Sequence, residues 1–161
     1  MTEVLEVVLG EALREKKATI ALAESCTGGL ISHRITNVPG SSAYFERGIV
    51  AYSNKAKVDH LGVSEKILND YGAVSSETAM AMASGIRKAA NATFGLAVTG
   101  IAGPGGGTPE KPVGLVYIAI ATPDGTEVSN FRFRGDRAGI KEKTAEAALK
   151  WLVLKVSSCA A

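Results

Sequence analysis

Residues 19–29 read TIALAESCTGG, a short apolar run that ends in a carboxylate, a hydroxyl, a thiol, a second hydroxyl and two glycines. An apolar run of this length, closed by glycine, reads as a buried strand. The glycines allow a sharp turn into the stretch carrying Leu30, Ile31, Ile35 and Val38, a helix that should stop before Pro39-Gly40. A strand turning directly into a helix is the building unit of layered α/β domains. This stretch therefore sets the fold class, and it also asks what Ser25 and Cys26 do.

The flanking sequence extends the same pattern. Val4, Leu5, Val7, Val8, Ala12 and Leu13 follow a helical period, and the helix should run to about Lys17. Residues 44–54, YFERGIVAYSN, are rich in aromatic and β-branched side chains and read as a second strand. Short helices are expected around KAKVDHLG and SEKILNDYG, then a longer one in SSETAMAMASGIRKAA with Ser75 as its cap. TFGLAVTG (93–100) reads as a third strand, and IAGPGGGTPEKP after it as a loop. VGLVYIAIAT and TEVSNFRFRG are two further strands, and the PDG between them predicts an antiparallel hairpin. A long helix from about Arg137 to Val156, with an apolar stripe of Ala145, Leu149, Leu152, Val153 and Val156, closes the chain. The expectation is one domain over residues 1–161, a three-layer α/β/α sandwich around a mixed, mostly parallel sheet of about five strands.

Composition narrows the function classes. Of the 161 residues 46% are hydrophobic and 21% charged, enough for a core of its own, and 18 basic against 16 acidic residues give a net charge of +2. The charges are spread without a run of one sign, so no general nucleic-acid footprint is expected, although a local anionic ligand fits. Two cysteines, Cys26 and Cys159, make no disulfide framework and point to a reducing cytoplasm. MTEVLEVVLGEALREKK reads as an amphipathic helix without a signal-peptide layout. No apolar run approaches the roughly 20 residues of a membrane span. A soluble, unprocessed, cytoplasmic chain with no membrane partner is expected.

In doubly wound domains ligands gather where strands end, and ESCTGG, YSN and TGIAGPGGG all follow strands. Ser25 stands where a strand meets a helix, near free N–H groups that favour an anion or a developing oxyanion. Equally, Ser25 or Thr27 could simply cap that helix. Cys26 is the stronger nucleophile in principle, but it is also a residue type often buried for packing. Its histidine candidates, His33 and His60, are poorly placed. A base for Ser25 is then a lysine made neutral by burial. Lys57, in the first turn after YSN, could reach the same cleft while Lys55 points elsewhere, the alternative being that both are solvated. TGIAGPGGG lacks the ending of a P-loop and the spacing of a dinucleotide fingerprint. Arg132, Arg134, Arg137 and Lys141 cluster where Gly135-Asp136 should start the last helix, fitting either an anion site or a solvated face. Nothing has the spacing of a zinc site.

AESCTGG, GSSAYFERGIVAYSNKAK, GAVSSETAMAMA, TGIAGPGGGTPEKPVGLVY and FRGDR, in this order and spacing, resemble the CinA C-terminal domain family over about residues 3–156. That family includes stand-alone bacterial nicotinamide-nucleotide amidohydrolases. The resemblance implies hydrolysis of the carboxamide of nicotinamide mononucleotide to nicotinate mononucleotide and ammonia, in pyridine-nucleotide salvage. It further implies no metal or other cofactor and a homodimer or larger homo-oligomer. Matched to the family motifs, the serine of ESCTGG is Ser25, the nucleophile, and the lysine ending YSNxAK is Lys57, its base. Glu24, Cys26, Thr27, Gly28 and Gly29 then frame the substrate, with N–H groups near Cys26, Thr27 and Gly28 holding the oxyanion. By their position, Tyr52 and Asn54 are expected to orient Lys57 or touch substrate, Thr99, Gly100, Ala102 and Gly103 to line the ribose or phosphate side, and Arg137 or Lys141 to anchor the phosphate. Relatives often carry arginine where this chain has Lys141, and full-length CinA proteins carry a separate N-terminal domain that these 161 residues do not include. The alternative is a nucleotide-binding regulatory module of the CinA type without significant turnover.

Overall fold

The computed structural model describes residues 3–159; residues 1, 2, 160 and 161 of the expected 1–161 domain lie outside the described residues. Its strands are β1 (Ile20–Glu24), β2 (Phe45–Val50), β3 (Phe94–Gly100), β4 (Leu115–Thr122) and β5 (Gly125–Arg132). They form one sheet in the order β2-β1-β3-β4-β5. β1 pairs in parallel with β2 and β3, whereas β4 is antiparallel to both β3 and β5. All strands except β4 thus run the same way, giving the expected mixed, mostly parallel sheet.

Among the described residues six α-helices surround it: α1 (Leu5–Glu15), α2 (Leu30–Thr36), α3 (Asn54–Leu61), α4 (Glu65–Tyr71), α5 (Ser76–Ala90) and α6 (Arg137–Ser158). Strand alternation sorts them into two layers. Ile20 and Leu22 of β1 join a core with side chains of α1, α2 and α6, and Ala21 and Ala23 join one with α3, α4 and α5. The second face of the sheet carries mainly alanine, with Ala97, Ala119 and Ala121 alongside. α5 therefore lies close to the sheet: a Cβ on Gly95 would come within 2.4 Å of the Ala83 carbonyl oxygen.

Side-chain caps set several boundaries. Ser75 Oγ accepts from Thr78 N at 3.1 Å, as its sequence position predicts, and Asp136 Oδ1 accepts from Gly139 N at 2.7 Å to start α6. The strand expected over 44–54 is shorter, ending at Val50, because Ser53 Oγ accepts from Ala56 N at 3.0 Å and turns SN into the start of α3. A 3₁₀ turn at Ser41–Ala43 precedes β2 without a sequence signal that marked it. No described helix is long and apolar enough to cross a membrane.

The three parallel strands end on one edge of the sheet and in register. Glu24 pairs with Val50 on one side and Val98 on the other. Just past that rung, Ser25 N donates to Val98 O at 3.0 Å and Ala51 N donates to Glu24 O at 2.9 Å. Ala51 and Ser25 consequently lie just past the ends of β2 and β1, near Thr99, the second-last residue of β3.

Candidate active site

The ESCTGG turn is built around Glu24, whose carboxylate is 1% exposed. Oε1 accepts from Thr27 Oγ1 at 2.6 Å and Ile31 N at 2.9 Å, and Oε2 from Ser32 N at 2.9 Å and Ser32 Oγ at 2.7 Å. The carboxylate at the end of β1 thus supplies the acceptors for the first turn of α2. Neither Ser25 nor Thr27 caps that helix. Gly28 and Gly29, at φ 61° and 103°, give the chain the left-handed backbone it needs to bring Ile31 and Ser32 over Glu24.

Freed from capping, the Ser25 hydroxyl has one protein partner among the described residues, Lys57. Lys57 Nζ lies 3.1 Å from Ser25 Oγ, 3.0 Å from Ala51 O and 3.1 Å from Tyr52 O. Lys57 is 1% exposed, while Lys55, two residues earlier on α3, sits at the surface paired with Asp59. Burial holds the Lys57 ammonium below the ordinary lysine value. A neutral amine has two hydrogens and one lone pair. The two carbonyls can only accept, so they take both hydrogens and leave the lone pair toward the Ser25 hydroxyl.

Cys26 points into the other core, among the Ile and Leu side chains of α2 and the sheet. Burial pushes its thiol up to about 12. His33 is exposed on α2 and interacts with Asn37, and His60 is exposed at the end of α3. Neither pairs with the thiol, which stays protonated near neutral pH.

Ser25 and Lys57 open onto a pocket of about 180 Å³ whose wall also includes Cys26, Tyr52, Ala73, Val74, Thr99, Gly100, Ala102 and Arg137. Arg137, at the start of α6, spans its mouth: Nη1 donates to Gly103 O at 2.7 Å and Nη2 to Tyr52 Oη at 2.9 Å. One turn further along α6, Lys141 lies over the glycine turn, where a Cβ on Gly28 would be 3.5 Å from its Nζ. Glu24, Thr27, Gly28 and Gly29 frame the pocket from behind rather than line it. Asn54 is set apart from Lys57's amine, in a separate open cavity with Lys55 and Asp59. Among the proposed N–H donors, Gly28 N is engaged by Ser25 O at 3.1 Å. The N–H groups of Cys26 and Thr27 have no protein acceptor among the described residues. Ala73 and Val74 had no chemical signature to announce them; they reach the pocket because the turn before α5 folds over β3. Among the described residues no cluster of three or more His, Cys, Asp or Glu side chains is placed to hold a metal ion.

Comparison with known proteins follows the same lines. Residues 2–156 match the family described as CinA C-terminal domain. The chain belongs to this family. It is 53% identical over 150 residues to a CinA-like protein of Geotalea uraniireducens, covering 93% of this chain and 36% of that protein. The chain thus spans about a third of the length of such curated relatives. Among solved CinA-type structures, the competence/damage inducible protein CihA of Agrobacterium tumefaciens is 41% identical with a TM-score of 0.89, covering 96% of both chains. The competence damage-inducible protein A of Klebsiella pneumoniae is 32% identical with a TM-score of 0.94, covering 97% of both chains. The chain thus matches a part of longer curated relatives and nearly the whole of solved chains of similar length.

Proposed function

We propose that this CinA C-terminal domain hydrolyses the carboxamide of nicotinamide mononucleotide, giving nicotinate mononucleotide and ammonia. The observation that carries the reading is the buried Lys57 amine 3.1 Å from Ser25 Oγ, with its two other contacts made to carbonyl oxygens. Neutral Lys57 takes the hydroxyl proton as Ser25 Oγ attacks the amide carbon, and the carbonyl π electrons move onto oxygen. The resulting oxyanion is held by the N–H group of Cys26, a pocket residue whose N–H has no protein acceptor among the described residues. Collapse breaks the C–N bond, and the proton on Lys57 passes to the leaving nitrogen. Water, giving its proton to Lys57, then attacks the acyl-enzyme, and the same proton returns to Ser25 as nicotinate mononucleotide leaves.

The pocket, at about 180 Å³, is below the roughly 300–1,000 Å³ of a site that encloses a whole drug-sized ligand. It accommodates the ring and carboxamide, leaving ribose and phosphate at the mouth beside Arg137 and Lys141, two cations one turn apart on α6. A cytoplasmic homo-oligomer needing no cofactor belongs to the same reading.

The test is ammonia and nicotinate mononucleotide release by purified protein. Wild type should turn over, and Ser25→Ala and Lys57→Ala should each lose at least a thousandfold in kcat. Turnover surviving in Ser25→Ala but lost in Cys26→Ala overturns the assignment. Saturable binding of the nucleotide with no ammonia released by wild type points instead to a binding module.

A further inference from the structure

Thr99 follows Val98 on β3 as Ser25 follows Glu24 at the end of β1. The register pairs Glu24 with Val98, and Ser25 N donates to Val98 O at 3.0 Å, so the chain leaving β1 stays against β3 and brings Ser25 near Thr99. Both continue the strand alternation that sends Ala21, Ala23 and Ala97 to the α5 face, and both line the pocket. Lys57 approaches Ser25 from the opposite side, over Ala51 of the β2 edge. The nucleophile therefore stands between its base and Thr99.

The direction of Thr99's hydrogen bond decides what it offers a substrate. Its Oγ1 lies 2.8 Å from the carbonyl oxygen of Ala73, itself a pocket residue. A carbonyl can only accept, so the single hydroxyl hydrogen is committed there. What remains on Oγ1 is a pair of acceptor sites, and with Thr99 only 1% exposed water does not compete freely for them.

We infer that Thr99 is a specificity-determining residue: its hydroxyl oxygen accepts an N–H of the substrate carboxamide, and it disfavours the carboxylate of the product. An amide NH₂ meets that oxygen as a donor, whereas an ionised carboxylate brings only lone pairs and negative charge against it. Selection of amide over acid then favours release of product.

This inference rests on the amidohydrolase reading, and a binding experiment separates the two. In a Ser25→Ala background, affinities for nicotinamide mononucleotide and nicotinate mononucleotide are measured by calorimetry for Thr99, Thr99→Ser and Thr99→Val. Thr99 and Thr99→Ser should prefer the amide. Thr99→Val should lose about three- to tenfold of that preference, the range of one neutral hydrogen bond. Melting temperatures identify a variant that has merely lost its fold, and Thr99→Ser, which keeps the hydroxyl, still decides the outcome. An amide-to-acid ratio unchanged between Ser and Val at position 99, or no preference with Thr99 present, overturns the inference. Absence of ammonia release by wild type, with the preference intact, overturns the hydrolase reading and leaves Thr99 as an amide selector.

Discussion

Replacing Glu24 by glutamine tests the turn that presents Ser25. Glu24 gathers four donors on two oxygens, at 2.6, 2.7, 2.9 and 2.9 Å. Glutamine keeps one carbonyl oxygen, enough for Thr27 Oγ1 and Ile31 N, and turns an NH₂ toward Ser32. The Ser32 hydroxyl can rotate to accept from it. Its backbone N–H cannot, and is left facing a donor. One stranded donor costs about 1–3 kcal/mol, and the retained bonds lose charge assistance, roughly half their strength. The sum is about 3 kcal/mol, and at about 2–4 °C per kcal/mol for a chain of this size the melting temperature falls by about 6–12 °C. Urea and thermal denaturation measure it. A loss under about 0.5 kcal/mol, the range of an unremarkable surface change, would refute the view that Glu24 organises this turn. The nucleotide-hydrolysis rate of Glu24→Gln should fall with it, since Ser25 is the next residue.

The proposed mechanism needs neutral Lys57, whose pKa burial holds below 10.5, so kcat/KM should rise with pH along an acid limb with its midpoint below 10.5; a rate falling over that limb counts against Lys57 as base. Stability shares the sign: between the depressed folded value and the ordinary unfolded one, the unfolded chain binds the extra proton, so unfolding free energy climbs with pH across that window and flattens in Lys57→Met. At pH 8 a thiol of pKa about 12 is thiolate in about one molecule in ten thousand, so Cys26 should resist a disulfide reagent until denaturant is added, while half-buried Cys159 reacts at once. Two rapid equivalents in the native protein would contradict the burial of Cys26. Gly85→Ala improves helix propensity by about 1 kcal/mol, but its Cβ would fall 1.9 Å from the Leu61 carbonyl oxygen. Overpacking of about 1–3 kcal/mol or more should win, and a urea midpoint at or above wild type would show that α3 and α5 can separate freely.

The amino-acid sequence alone determined the element order and the class of sheet. Strand and helix periods are local, and so are the signals at Ser75, Asp136 and PDG that bound them. The family was legible too, because its motifs are contiguous stretches. Tertiary structure decided the division of labour within ESCTGG. Whether Ser25 or Glu24 satisfies the N–H groups of α2 depends on how the chain folds back at Gly28 and Gly29, since Glu24 bonds residues seven and eight positions away. Likewise, helical position could turn Lys57 toward the cleft and Lys55 away, but a solvated reading fitted both: burial under the end of β2, against two carbonyls from the preceding turn, sets the Lys57 amine beside Ser25 and leaves Lys55 a surface ion pair. Thr99 could be placed near a ligand from its position at the carboxyl end of a strand. Only the parallel register of β1 and β3, together with the carbonyl of Ala73 taking its hydrogen, put it beside Ser25 as an acceptor, because strand pairing and hydrogen-bond direction are properties of segments far apart in the chain.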